Sequence, residues 1–341
     1  MDDQIGHRPL TVPDVPAVEI THRTLQLNGL RMHVAEAGTG PLVLLLHGWP
    51  ETWYSWRHQI PALAGAGYHV VAPDQRGYGD TDVPERVDDY TIEHLTDDLT
   101  ALMDALGEEK AVVVGHDWGS LVAWELAKRR PERVEAVVGL SAPDRFHHPA
   151  DPSATPVAGW RAALGDAFYI VHFQEPGVAD AVFAAALERD PLGLVRRLMY
   201  SGSAAGPGWN GMIPEGGTII DSYAEAPETF PGWANEQDIK TYAAQFERSG
   251  FTGGLNWYRN VDRNWELSAP WRSNPVQAPA LFLVGGREAY AVPANQELIS
   301  GASSSVPHLR RTVVLPGCGH WIQQERPAEV NAILIEFLQS L

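Results

Sequence analysis

The stretch AVVVGHDWGS, residues 111–120, constrains the fold more than any other part of the chain. A run of β-branched residues stops at Gly115, an acid follows at Asp117, a second glycine at Gly119, and then helix formers take over at Leu121, Ala123, Trp124, Glu125 and Leu126. The order is strand, tight turn, helix. A strand that passes directly into a helix belongs to a mostly parallel sheet, because parallel neighbours need a helical crossover between them.

The rest of the chain keeps this rhythm. THRTLQLNGLRMHVAEAG alternates around Asn28-Gly29, a strong two-residue turn signal, and predicts a hairpin. Next come a buried strand PLVLLLHG, a helix over Trp56 to Ala66, a strand YHVVAPD, a helix from Thr91 to Leu106, the strand AVVVGHD with its helix, and the strand VEAVVGLSAP. The rhythm breaks after Pro143, and residues up to about 270 read as helical pieces punctuated by Pro and Gly. It resumes at PALFLVGG, continues through RTVVLPG, and closes with a helix from Pro327 to Leu341. The expectation is an α/β fold: a mostly parallel eight-stranded sheet with helices on both faces, formed by residues 22–144 and 271–341. Residues 145–270 are expected to form a helical cap over the carboxyl ends of the strands, where open α/β sheets bind ligands, and residues 1–21 a loose leader. The cap region is aromatic-rich: 16 of the chain's 31 Phe, Trp and Tyr residues lie between Trp160 and Trp265, enough to fill its core and still line an apolar pocket.

Composition narrows the partners. A net charge of −18 repels phosphate backbones and anionic lipid, which argues against nucleic acid and membrane surfaces. No apolar run approaches the roughly 18 residues of a membrane span. The N-terminus lacks the apolar core of a signal peptide, and the single cysteine, Cys318, excludes an internal disulfide and multi-cysteine metal sites; both readings fit the cytoplasm. No nucleotide or zinc motif is present, so neither cofactor nor metal is expected. The oligomeric state is not legible, a homodimer being one option.

The G-x-D-x-G frame matches the nucleophile elbow G-x-S-x-G, with Asp117 in the serine position. The partners of such an elbow follow as acid and then histidine, each after a later strand. Glu288 follows LFLVGGR, and His320 follows RTVVLPGCG. Two backbone N–H groups should form an oxyanion hole: that of Trp118, after the nucleophile, and that of Trp49 in HGWPE. Asp144, after VEAVVGLSAP, is a second candidate acid. Alone, Asp117 reads equally well as an acid that complements a helix dipole. With Glu288, His320 and HGWPE in order, the chemical reading prevails. Cys318 and the glycine-turn histidines His47 and His116 read as packing residues.

A carboxylate is already ionised near neutrality and needs no base to attack. It suits an sp3 carbon with a strained ring or good leaving group, and the resulting ester on Asp117 can then be hydrolysed by water activated by His320, with Glu288 orienting the imidazole. The targets are therefore C–O or C–halogen bonds.

HGWPETWYSWRHQIPALAGAGYHVVAPDQRGYG, GHDWGS, FQEPGVAD, GFTGGLNWYRNVDRNWE and GHWIQQERP stand in an order that closely resembles the soluble epoxide hydrolase family of the α/β-hydrolase fold. The resemblance covers roughly residues 22–341 and is to the hydrolase part only, without the N-terminal phosphatase domain of the mammalian form. It implies that two cap tyrosines, Tyr169 before FQEPG and Tyr258 in NWYRN, hold and protonate the epoxide oxygen. Together with Trp49 and Trp118 they would line the substrate site. The aromatic cap suggests a bulky apolar or aryl epoxide as the small-molecule substrate, with water as co-substrate. The family's acid is commonly Asp, whereas this chain has Glu288, one methylene longer. Two other readings stay open: a haloalkane dehalogenase, whose leaving halide needs no proton and whose oxyanion loop usually has Asn where this chain has Trp49, and a catalytically silent ligand-binding protein of the same fold.

Overall fold

The computed structural model describes residues 18–144, 153–288, 293–301 and 303–341. Of the expected leader, residues 1–17 lie outside the described residues; so does 145–152, where the cap was expected to begin.

Strands β1 (Thr21–Leu27) and β2 (Leu30–Ala37) pair antiparallel with Leu27 opposite Leu30. The turn between them has Asn28 and Gly29 both at positive φ, 51° and 77°, which the right-handed twist of a two-residue hairpin demands. The other strands are β3 (Leu42–Leu46), β4 (His69–Pro73), β5 (Ala111–His116), β6 (Val134–Leu140), β7 (Ala280–Gly285) and β8 (Leu309–Leu315). They form one eight-stranded sheet in the order β1-β2-β4-β3-β5-β6-β7-β8. β2 meets β4 antiparallel, and every pair from β4 to β8 is parallel. β3, β5 and β7 are buried throughout, as continuous Val and Leu runs covered on both faces should be.

Helices α1 (Gln59–Gly65), α2 (Ile92–Leu106) and α3 (Trp118–Arg129) connect the first six strands. α1 starts later than expected: Trp53–Trp56 form a separate 3₁₀ turn, and Pro61, which lacks an N–H, sits in the first turn of α1 where none is needed. Thr91 caps α2 instead of belonging to it, accepting from the His94 N–H.

Between β6 and β7 the chain runs through a helical insertion: α4 (Pro156–Leu164), α5 (Tyr169–His172), α6 (Val178–Arg189), α7 (Pro191–Gly202), α8 (Glu236–Ser249), α9 (Thr252–Arg259) and α10 (Val261–Leu267). Its apolar residues, among them Phe173, Phe183 and Phe251, share one buried cluster with the sheet residues Leu44, Leu46 and Val113. The insertion therefore has no separate core, and its position over the sheet is fixed by burial. After β7 come α11 (Pro293–Ile299), β8, α12 (Ile322–Glu325) and α13 (Pro327–Gln339).

Candidate active site

Asp117 stands at the turn from β5 into α3 with φ 52° and ψ −121°, a conformation non-glycine residues rarely occupy and which concentrates at functional sites. Its neighbours have to be glycine. A Cβ on Gly115 would lie 2.1 Å from the Gly119 carbonyl oxygen, and one on Gly119 would lie 2.1 Å from that of Leu46. Backbone thus packs on backbone among β3, β5 and α3, and the sharp turn pushes the Asp117 side chain away from the sheet.

Oδ1 of Asp117 accepts the Trp49 N–H at 2.8 Å, and the Trp118 N–H also bonds to the carboxylate. On the other side, His320 Nε2 faces Asp117 Oδ2 at 3.8 Å, beyond hydrogen-bond length, while His320 Nδ1 meets Glu288 Oε1 at 2.6 Å. Since Nδ1–H donates to Glu288, the free imidazole nitrogen is the one aimed at Asp117. Both side chains lie deep in the protein, yet Asp117 keeps 23% of its side-chain surface and His320 18%.

Burial pushes the Asp117 carboxyl above the usual carboxylate range, against the opposing pull of His320, His116 and the two N–H groups. For His320 burial acts to lower the pKa, but Glu288 and then Asp117 and Glu51 outweigh it, and the group is raised to about 9. Glu288 is held below its usual range, because the charge and hydrogen bond of His320 overcome its burial.

Facing this row, Tyr169 opens α5 and Tyr258 lies in α9, their ring centroids 5.7 Å apart at 74°. Tyr258 stands edge-on to Trp118 and Trp49, at 5.1 and 5.8 Å. Burial first, and then the Asp117 charge, raises the Tyr169 hydroxyl well above the usual phenol value. Burial likewise raises Tyr258, followed by Tyr169 and Asp117. Both stay protonated near neutral pH. The structure therefore brings Asp117, His320, Glu288, Trp49, Trp118, Tyr169 and Tyr258 together. Asp144 is elsewhere: its buried carboxylate pairs with Lys128 of α3, and His320 takes Glu288. Cys318 is buried, and desolvation holds its thiol up and unreactive.

Sequence reasoning missed the support behind His320. His116, read as a packing residue, donates from Nε2 to the His320 carbonyl at 2.8 Å, as does Ser141 Oγ at 3.0 Å. His116 Nδ1 meets Glu51 Oε2 at 2.7 Å, and Glu51 Oε1 accepts from Gln323 and Gln324 at 3.0 and 2.9 Å. Glu51 is wholly buried yet held below the usual range, because His116 and the surrounding donors outweigh its desolvation. The clue was present in HGWPE and WIQQE, two polar segments in apolar surroundings, but their meeting across the fold is a tertiary fact.

Among the described residues one group, His33, Asp74 and Asp80, could offer metal ligands, but its donors are engaged. His33 bonds Asp74 and His22, and Asp80 pairs with Arg248.

The chain has relatives of known fold and name. Residues 41–327 match the family profile described as alpha/beta hydrolase fold. Epoxide hydrolase 3 of Siraitia grosvenorii is 44% identical over 323 residues, 94% of this chain and 98% of the relative. Epoxide hydrolase A of Mycobacterium tuberculosis (strain ATCC 25618 / H37Rv) is 44% identical over 335 residues, with the same two shares covered. The crystal structure of epoxide hydrolase VrEH1 from Vigna radiata superposes with a TM-score of 0.84 at 41% identity, covering 95% of this chain and 99% of that one. With these similarities spanning nearly its whole length, the chain belongs to the epoxide hydrolase family of the α/β-hydrolase fold.

Proposed function

We propose that the protein converts an apolar or aryl epoxide to a vicinal diol through a covalent ester on Asp117. The observation that carries this reading is the opposition of an elbow carboxylate, held by two N–H groups, to two phenols kept protonated across the same space. Asp117 attacks a ring carbon; the C–O bond breaks, and its electron pair goes to oxygen as Tyr169 and Tyr258 donate to it. Opening an epoxide makes an alkoxide far more basic than a phenol, so the proton moves downhill.

Before attack His320 is protonated, its pKa being about 9. Esterification removes the Asp117 charge, which is one of the causes of that elevation, so the imidazole acidifies and its proton returns the donor to the phenol form. His320 is then a neutral base. It takes a proton from water, the hydroxide adds to the Asp117 carboxyl carbon, and the oxyanion accepts from the Trp49 and Trp118 N–H groups. Collapse breaks the ester C–O bond, the departing alkoxide takes the proton of the new carboxyl to give the diol, and the Asp117 carboxylate is regenerated with His320 protonated as at the start. Glu288 fixes the tautomer and stabilises the imidazolium.

The same tyrosine pair disfavours a dehalogenase, because a departing halide needs no proton, and the full set of residues disfavours a silent binding protein. Residues 22–144 and 271–341 act as the hydrolase core in this reading and 145–270 as its cap, the aromatic lining favouring an apolar or aryl substituent. A cytoplasmic location rests on the single cysteine; no helix among the described residues is long and apolar enough to cross a membrane. Turnover of styrene oxide and 1-chlorobutane side by side tests the reading. Diol from the first without chloride from the second is expected; chloride release alone would return the dehalogenase.

A further inference from the structure

The loop carrying His320 is sewn to the insertion as tightly as to the sheet. A Cβ on Gly319 would lie 2.4 Å from the Ala204 nitrogen, and one on Gly285, at the end of β7, would lie 2.0 Å from the Gly319 carbonyl oxygen. The Gly319 backbone is thus sandwiched between β7 and the turn that follows α7. Across this seam the His320 N–H donates to the Gly202 carbonyl at 2.8 Å, the Trp321 indole N–H to that of Met199 at 2.7 Å, and Arg287 to that of Gly206 at 2.6 Å.

At the centre of the seam lies the Glu325 carboxylate. Oε2 accepts from the Gly319 N–H at 3.2 Å and the Ala204 N–H at 2.9 Å, while Oε1 accepts from the Trp321 N–H at 3.2 Å. Two of these donors flank His320 in the chain, and the third belongs to the insertion. Among the described residues no Lys or Arg forms an ion pair with this carboxylate. A largely buried carboxylate kept without a cation and spent on three backbone N–H groups is an expensive arrangement unless the backbone it holds matters. The backbone in question is that of the base.

We propose that Glu325 is a positioning residue for the hydrolytic half-reaction: by clamping the N–H groups on both sides of His320 and tying them to Ala204, it holds the imidazole where Nε2 can take a proton from the water that attacks the Asp117 ester. The proposal rests on the reading of His320 as the base. It assigns the insertion a part in the second chemical step as well as the first, since the segment that holds the His320 loop at Gly202–Gly206 goes on to Gly211, whose carbonyl accepts the Tyr169 N–H at 2.8 Å.

The test separates the two chemical steps in Glu325→Ala and Glu325→Gln by stopped-flow tryptophan fluorescence and quenched intact-mass spectra with styrene oxide, beside His320→Gln. Alkylation should stay within about twofold of the parent in both Glu325 variants, while ester hydrolysis slows by about 10- to 100-fold in Glu325→Ala, the scale of a misplaced catalytic group. Glu325→Gln keeps one acceptor oxygen and should fall between the two, so adduct accumulates in the order Ala, Gln, parent. Normal alkylation is itself the check that the site is folded; should Glu325→Ala not fold, the Gln variant carries the test by the same ratio of rates. Equal slowing of both steps, or unchanged hydrolysis while His320→Gln accumulates adduct, would overturn the positioning role. Failure of His320→Gln to accumulate adduct would instead overturn the assignment of the base.

Discussion

At the residue scale the two half-reactions differ in the protons they need. Each tyrosine is a separate donor, so replacing one hydroxyl should slow alkylation and leave it measurable; Tyr169→Phe combined with Tyr258→Phe removes general acid assistance, a loss of about 10² to 10⁴ in rate. Ester hydrolysis in that double variant should be nearly unchanged, because His320, Glu288 and the N–H groups carry it. Near-normal alkylation would reduce the tyrosines to pocket lining. The two steps should also part in their pH dependence. Alkylation requires ionised Asp117, whose pKa is raised, so it should fade on the acid side at a higher pH than an ordinary carboxylate would dictate. Hydrolysis requires neutral His320, so it should grow with pH through a midpoint below the value of about 9 that holds while Asp117 is charged. Burst and steady-state rates across pH would check both limbs, and a hydrolysis midpoint at or above 9 would contradict the coupling.

At the scale of elements, two turns hold the chemistry in place, and each has a glycine with a measurable role. Gly119→Ala should collapse the elbow, because its Cβ would overlap the Leu46 carbonyl and no flexible side chain is there to yield. Gly211 sits at φ +71°, and a Cβ there would lie 2.5 Å from Cδ1 of Tyr169. Gly211→Ala should therefore cost about 1–2 kcal/mol from the left-handed backbone, read as a lower denaturant midpoint, and should slow alkylation more than hydrolysis by displacing the Tyr169 ring. Equal effects on the two steps would show that the turn supports the fold only. The elbow was legible in sequence because two glycines with three residues between them, directly after a β-branched run, leave few alternatives. Gly211 was not, since its importance arises from a ring 42 residues away in the chain. The same holds for Glu51, His116 and Glu325: polar residues in apolar segments could be noticed, but only the fold shows that they converge on one histidine. The helix over 56–66 was misplaced at its start, because Trp53–Trp56 form a 3₁₀ turn whose aromatic spacing also suits an α-helix.

At the scale of the whole molecule, sheet and insertion act as one body. Asp144, on the way into the insertion, and Trp271, on the way out, both meet α3: Lys128 pairs with Asp144 and Glu125, and Glu125 accepts from the Trp271 indole at 2.8 Å. Lys128→Met would leave the buried Asp144 and the partly buried Glu125 carboxylates without their cation, a cost of about 3–5 kcal/mol in urea unfolding. Burial already holds the Glu125 carboxyl above its usual range, and without Lys128 its folded-state pKa rises further above the unfolded one. The part of the penalty that falls on Glu125 should then shrink as pH falls through that raised value, and stability that does not recover toward acid would contradict this. The succession of strands and helices along the chain and the order of Asp117, Glu288 and His320 in it were readable beforehand, because each follows from a local pattern; the order of the strands within the sheet and the seams between sheet and insertion were not. The reaction turns on one covalent bond, between Asp117 and the substrate carbon. In a single turnover with excess enzyme in heavy-oxygen water, the first diol formed should be unlabelled and the label should enter the Asp117 carboxylate. Label in the diol on that first turnover would mean that water attacks the epoxide directly and that no ester forms on Asp117.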